Sequence, residues 1–238
     1  MLAFQGVADS FFSHPDFLVR EVEARWVQSQ EGPQPPMRFR MNPPASIFRV
    51  DLAATARVFE QRYPTAEVER VERILPKRLR VILRSRRPVA QLNCSGTFYA
   101  VSEEGKVISR GAAAPHPDLP VLILEGVRGP ARFGQDLGGA EFWRASDLLA
   151  AIRRDGGIAG QKVSKVQVKG PDLFLLLDSG LEIRFSSERM WAGWQRLGEL
   201  IPQRPQVLAE ARYIDLRFED PVIAPKAQPK AKRGKGKR

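Results

Sequence analysis

Few side chains in this sequence are placed to carry chemistry. His14 and His116 each stand beside proline in loop-like stretches, so they read as exposed loop histidines rather than a general acid and base pair. Cys94, the only cysteine, lies in "LNCSGTF" with no base nearby, which predicts an inert, half-buried thiol. A single cysteine also excludes an intrachain disulfide and a thiolate zinc cluster. There is no Gly-x-Ser-x-Gly elbow, no phosphate-binding Gly-x-x-x-x-Gly-Lys-Ser/Thr loop and no dinucleotide Gly-x-Gly-x-x-Gly turn after a strand. The glycine-rich run "GVRGPARFGQDLGG", residues 126–139, lacks the Lys-Ser/Thr pair and reads as a surface loop. Carboxylates are plentiful, but no pair is isolated among apolar residues, as general acid or base work requires. The chain is therefore not expected to be an enzyme, and nothing in it implies a cofactor or a metal.

What remains is charge. The 238 residues carry a formal net charge of +11. Residues 226–238, "KAQPKAKRGKGKR", are basic throughout and contain no acid, a composition that predicts a disordered tail. The stretch "ERILPKRLRVILRSRRPVAQL", residues 72–92, is the other dense basic run, and it alternates. Leu79, Val81 and Leu83 fall on one side of a period-two pattern and Arg80, Ile82 and Arg84 on the other, which is a strand with one face on a core and the other in water or on a second surface. The residues between the arginines are aliphatic, whereas single-strand nucleic-acid binders offer aromatic platforms. A nucleic-acid-binding protein gripping phosphates through the tail is nevertheless the alternative reading.

Around these residues the elements can be placed. Residues 17–27, "FLVREVEARWV", alternate as a half-buried strand. Residues 28–46 are studded with proline and predict a long loop. Residues 47–63 show helical spacing, with Asp51 as cap and Pro64 as stop. Strands follow at 66–74 and from Leu79, and further strand signals recur in "VAQLNC", "TFYAVSEEGKVI", "PVLILEG", "SKVQVKG", "DLFLLLDSGLEIRF" and "ARYIDLRF". Helices are expected at 141–156 and, opened by a serine cap, at 186–202. The pattern is α+β, with a small first domain ending near Ala90 and a larger sheet-rich one after it. No apolar run approaches the length of a membrane span, and the start has neither the basic leader nor the cleavage site of a signal peptide.

In this order the pieces resemble the extracytoplasmic part of the FtsQ/DivIB bacterial cell-division proteins, over residues 17–225. Two motifs carry the resemblance. One is Val71, Arg73, Pro76, Leu79, Val81, Leu83, Arg86, Pro88, Val89, Ala90, and the other is the run from Tyr213 to Phe218, "YIDLRF". Ser85 replaces the glutamate that precedes the Arg-x-Pro-Val-Ala signature in the family, and residues 28–46 do not look like the first helix of its small domain.

The resemblance implies a POTRA domain of order strand-helix-strand-strand (17–90) and a larger antiparallel-sheet β domain flanked by helices (91–220), which leaves residues 1–16 as an N-terminal remnant beside the membrane and 221–238 as the basic tail whose composition predicts disorder. It also implies a non-catalytic divisome scaffold in septum formation, held in the cell inner membrane by a transmembrane segment absent from this sequence, with its bulk in the periplasm. FtsB and FtsL are the implied partners. FtsB would add a strand to the exposed edge of the last β-strand, and other division proteins would bind through the POTRA domain. The implied partner-binding residues are Tyr213, Asp215, Arg217 and Phe218, with Trp191 and Arg196 on the neighbouring helix. Arg73, Pro76, Leu79, Arg86 and Pro88 form the POTRA signature. Alternation across "RYIDLRFED" turns Tyr213, Asp215, Arg217 and Glu219 outward and allows Ile214, Leu216 and Phe218 to face a core, while the resemblance places a partner-contacting aromatic at Phe218, so core packing and partner contact both stay open there.

Overall fold

The computed structural model describes residues 14–28, 32, 34–127 and 129–226. Most of the expected N-terminal remnant and residues 227–238 of the expected tail lie outside those residues, and the expectation of disorder over 221–238 is wrong at Val222–Pro225, which form a strand. The chain divides into two compact units. One comprises Met1–Pro88, Lys106–Ser109 and Arg132–Asp136, and the other Val89–Gly105, Arg110–Ala131 and Leu137–Arg238.

In the first unit, β1 (Leu18–Gln28), β2 (Met37–Ser46), α1 (Leu52–Arg62), β3 (Ala66–Ile74) and β4 (Arg78–Ser85) build a four-stranded sheet of order β2-β1-β4-β3. β1 and β4 run parallel, and the outer pairs are antiparallel. The period-two pattern of β4 holds for its core side, while Ile82 on the other side is buried as well. Leu79, Val81 and Leu83 are fully buried and join Val19, Val22, Ala24, Ile47 and Ala66 in one core, onto which α1 packs Phe59. Asp51 caps α1 as expected, accepting a bond from the Ala54 N–H at 3.0 Å, and the helix runs from Leu52 to Arg62, short of Pro64.

The expectation of a loop over residues 28–46 is wrong in its second half, because Met37–Ser46 is a strand. Its prolines are tolerated for two reasons. β2 lies at the sheet edge, where one side of the backbone needs no partner. The register also jumps from Val19↔Ala45 to Glu21↔Arg40, which places Pro43 and Pro44 in the irregularity between paired positions. The unit therefore has the order strand-strand-helix-strand-strand, with one strand more than expected.

The β4 arginines Arg78, Arg80 and Arg84 lie on the outer face in register with carboxylates. Arg38, Glu23, Arg80 and Glu72 form one row across the sheet, and Arg80 reaches Glu72 at 3.7 Å and Glu23 at 4.0 Å. Arg84 pairs with Glu67 at 2.9 Å. Opposite charges facing each other across strands support the pairing of the sheet.

The second unit is built on an eight-stranded sheet of order β12-β11-β10-β9-β8-β7-β5-β6. Its strands are β5 (Pro88–Cys94), β6 (Thr97–Ser102), β7 (Val121–Leu124), β8 (Val163–Lys169), β9 (Asp172–Leu177), β10 (Glu182–Ser186), β11 (Ala211–Asp215) and β12 (Val222–Pro225). Its helices are α2 (Ala140–Arg154), α3 (Met190–Gln203) and the single turn α4 (Val207–Glu210). The antiparallel description applies to β8–β9, β9–β10 and β11–β12, whereas β5–β7, β7–β8 and β10–β11 run parallel.

One sheet face carries the core. Leu122, Val166, Leu173, Leu175, Leu177, Ile183, Phe185 and Ile214 are buried, as are Phe142, Ala145, Leu148, Leu149 and Ile152 of α2. α2 packs on β7 and β8, and α3 packs on β10. Gly193 lets α3 come close, since a Cβ there would stand 3.0 Å from the Phe185 ring and 3.4 Å from Leu216. A short 3-10 turn, Ser187–Arg189, leads into α3, and no side-chain hydrogen bond caps it where a serine cap was expected. The chain is thus of the α+β class, with two sheets and few helices. Among the described residues no helix is long and apolar enough to cross a membrane.

Candidate partner-binding site

The strand expected to be the free edge is not one. β11 stops at Asp215 and lies between β10, which it meets in parallel, and β12, which returns antiparallel and covers its other side. The outer strand at this end of the sheet is therefore β12, four residues long, preceded by Pro221 and ending in Pro225. Short strands bounded by proline are a common way for a sheet to end. The signal in the sequence was the Val222-Ile223 pair between prolines, too brief for a period-two count. Beside it, Arg204, Gln206, Val207, Glu210, Ala211, Ile223 and Pro225 line a cleft of about 330 Å³.

Alternation holds for Ile214 and Leu216, both fully buried, and fails at Phe218, which is 56% exposed rather than directed into a core. The reason lies in Asp215 and Arg217. Asp215 is only 4% exposed. Arg217 folds back on it, with Nε at 2.9 Å and Nη2 at 2.7 Å from its carboxylate, and extends Nη1 to Asp172 of β9 at 2.7 Å. The Arg217 N–H also donates to Asp215 at 3.2 Å. This local loop ends the strand, so the residues after it no longer alternate.

Burial opposes the Asp215 charge, but the Arg217 side chain and backbone bonds, with the charges of Arg217 and Arg184, outweigh it and hold the carboxyl below its usual range. The paired carboxylates in turn hold the Arg217 guanidinium more firmly protonated than usual. Because the folded value is depressed, the stability from this pair is present above the unfolded carboxyl value of about 3.9 and is lost as pH falls through the folded one. Asp215→Asn is expected to cost about 1–3 kcal/mol near neutral pH. The wild-type and variant stabilities should converge below about pH 4, as denaturant titrations at a series of pH values would show.

The other candidates divide into structural and exposed groups. Tyr213 lies beneath the Arg184 guanidinium, 4.1 Å from ring centroid to carbon, so its ring face is occupied. Arg196 donates to the carbonyls of Leu216 at 3.1 Å, Phe218 at 2.5 Å and Glu219, fastening residues 216–219 to α3. Trp194 is tied down by a 2.7 Å bond from its indole N–H to Asp155, whereas Trp191 is 49% exposed. The arrangement leaves Phe218, Trp191 and Val222 as exposed apolar groups on a framework held by Asp215, Arg217 and Arg196.

The signature residues of the first unit also fasten its parts. Arg73 donates to the carbonyls of Ile47 at 2.7 Å and Val50 at 2.9 Å, holding the turn before α1 against β3. Arg86, buried, donates to the Ala66 carbonyl at 3.0 Å and approaches Glu60 of α1 at 3.6 Å. Leu79 is in the core, Pro76 is in the β3–β4 turn and Pro88 opens β5. Cys94 is buried, and desolvation raises its thiol pKa despite a backbone hydrogen bond from Ala131. Among the described residues no group of three or more His, Cys, Asp or Glu side chains is placed to hold a metal ion.

Strands β6 to β11 of the second unit, with the parallel β10–β11 pair and the "YIDLR" strand, fall within a match to a family of bacterial cell-division proteins. The family model for the C-terminal part of cell division protein FtsQ/DivIB covers residues 90–217, more than half of the chain. The chain belongs to the FtsQ/DivIB family. A solved structure that it resembles is the major extracytoplasmic domain of the trans isomer of the bacterial cell division protein DivIB from Geobacillus stearothermophilus. The two share 14% sequence identity at a TM-score of 0.30, with coverage of 50% of this chain and 96% of that one. No curated protein matches the chain.

Proposed function

We propose that this protein is a non-catalytic scaffold of the division machinery, working on the extracytoplasmic side of the inner membrane and binding FtsB and FtsL at the β11–β12 end of its second sheet. The supporting observation is the juxtaposition there of the outer strand β12 with the exposed side chains of Phe218 and Val222. An extended partner segment completes the backbone bonds of such an edge, while apolar side chains beside it supply selectivity. In this reading Arg196, Asp215 and Arg217 set the frame, and Phe218 and Trp191 make contact. The first unit takes the part of the POTRA domain, meeting other division proteins, and an anchoring segment holds the protein to the membrane.

The test is a titration of the full chain with the periplasmic segments of FtsB and FtsL from the same genome, with Phe218→Glu as control. Saturable binding that the variant loses is the expected result. No binding of either segment, with DNA bound instead and released by salt, would overturn the reading in favour of the basic tail.

A further inference from the structure

The positive charge of the body is not evenly spread. Residues 14–88 hold 15 Lys or Arg against nine Asp or Glu, whereas residues 89–226 hold 17 of each. In the first unit most carboxylates are already engaged. Glu23, Glu60, Glu67, Glu69 and Glu72 pair with Arg25, Arg86, Arg84, Arg70 and Arg80. Arg20, Arg40, Lys77 and Arg78 are exposed, and among the described residues no carboxylate stands within 4 Å of any of them.

The registers gather these four cations at one end of the sheet. Arg40 and Arg78 flank Glu21 across β2-β1-β4, Arg20 precedes Glu21 at the irregularity of β1, and Lys77 is in the β3–β4 turn. The same end carries two exposed apolar side chains on turns. Leu75, at the tip of the β3–β4 turn, is 61% exposed. Phe48, in the turn after β2, is 38% exposed and packs on Phe17 with centroids 5.2 Å apart. Arg73 joins these turns, since it stands near the end of β3 and bonds the carbonyls on either side of Phe48.

We propose that this end of the first unit is a contact surface for an anionic lipid bilayer. Leu75 and Phe48 enter the boundary between headgroups and acyl chains, and Arg20, Arg40, Lys77 and Arg78 lie at the depth of the phosphates. Apolar tips at the same sheet end as cations that have no carboxylate within 4 Å among the described residues suit interfacial binding: the cations gain from the surface potential and the tips from burial. Nucleic acid fits less well, because Leu75 offers no ring for a base to stack on. The inference goes beyond the scaffold reading and does not depend on it, for it uses only the first unit.

Flotation of the full chain with phosphatidylglycerol–phosphatidylcholine vesicles tests it, with pure phosphatidylcholine as reference. All variants keep the basic tail, so its contribution is common to them. Binding to the anionic vesicles is expected, weakened about tenfold by Leu75→Asp and about fivefold by Arg78→Glu. Val58→Asp, which changes an equally exposed apolar residue on α1 (60%), should bind as the wild type does. Leu75→Asp floating like the wild type, or Val58→Asp losing as much, would overturn the proposal. So would DNA binding that depends on Arg40 and Arg78 without vesicle binding. Leu75 and Val58 are exposed, and thermal unfolding near the wild-type temperature would show that each variant folds.

Discussion

Phe185→Ala should lower the unfolding free energy by about 3–5 kcal/mol, the largest effect expected of a single change in the second unit. Phe185 is fully buried on β10, at the junction between the sheet and α3. The helix reaches it through Gly193, which has no side chain with which to refill the space. Leu216, the other neighbour of Gly193, is fastened to the sheet by its backbone N–H, which donates to the Arg184 carbonyl at 2.8 Å, so it too is poorly placed to collapse inward. Urea unfolding followed by tryptophan fluorescence would measure the loss, with Trp191 and Trp194 on α3 as reporters. A loss under about 1 kcal/mol would mean that α3 settles onto the sheet and closes the void.

Phe218→Ala should act on association instead. It is expected to weaken binding to the FtsB segment about 30-fold, as the loss of a central aromatic anchor does, while leaving the melting temperature within a degree or so of wild type. The contrast follows from its surroundings. The ring is exposed and meets the Arg217 guanidinium only at 5.8 Å, and Arg196 holds the segment through the Phe218 carbonyl, which the substitution keeps. Calorimetric titration and thermal unfolding of the same sample separate the two effects. A large drop in melting temperature would make Phe218 a structural residue.

The elements that the sequence made legible are those in which one periodicity extends over enough residues. Leu79, Val81 and Leu83 declared β4, and Phe142, Ala145, Leu148, Leu149 and Ile152 declared α2. β2 was hidden because proline argues against a strand only where both backbone sides are paired, and an edge position is a property of the assembled sheet. Phe218 stood between core and partner surface for a similar reason. Its alternation assumes that β11 continues, and what stops the strand is a bond from Arg217 back to Asp215 that no spacing rule contains. The parallel pairs were equally invisible, since alternation tells which face a side chain takes and says nothing of the neighbour's direction. Of the candidate site, the sequence pointed to the right segment but not to the division of labour within it. Polar residues placed outward by period two, Asp215 and Arg217, serve as internal fasteners, while the aromatic that could face either way is the exposed one.

The parallel pairing of β11 with β10 also sets an order in time. The β9–β10 hairpin can close once both its strands exist, but β11 reaches its slot only after α3 and α4 have been made, and β12 only after β11. Non-local pairing of this kind is slow, and a chain grows from its N-terminus. The outer edge of β12 is therefore the last part of this sheet to come into being. A nascent or prematurely ended chain would expose β10 in its place, and only a chain synthesised through Pro225 presents the edge proposed to receive its partner.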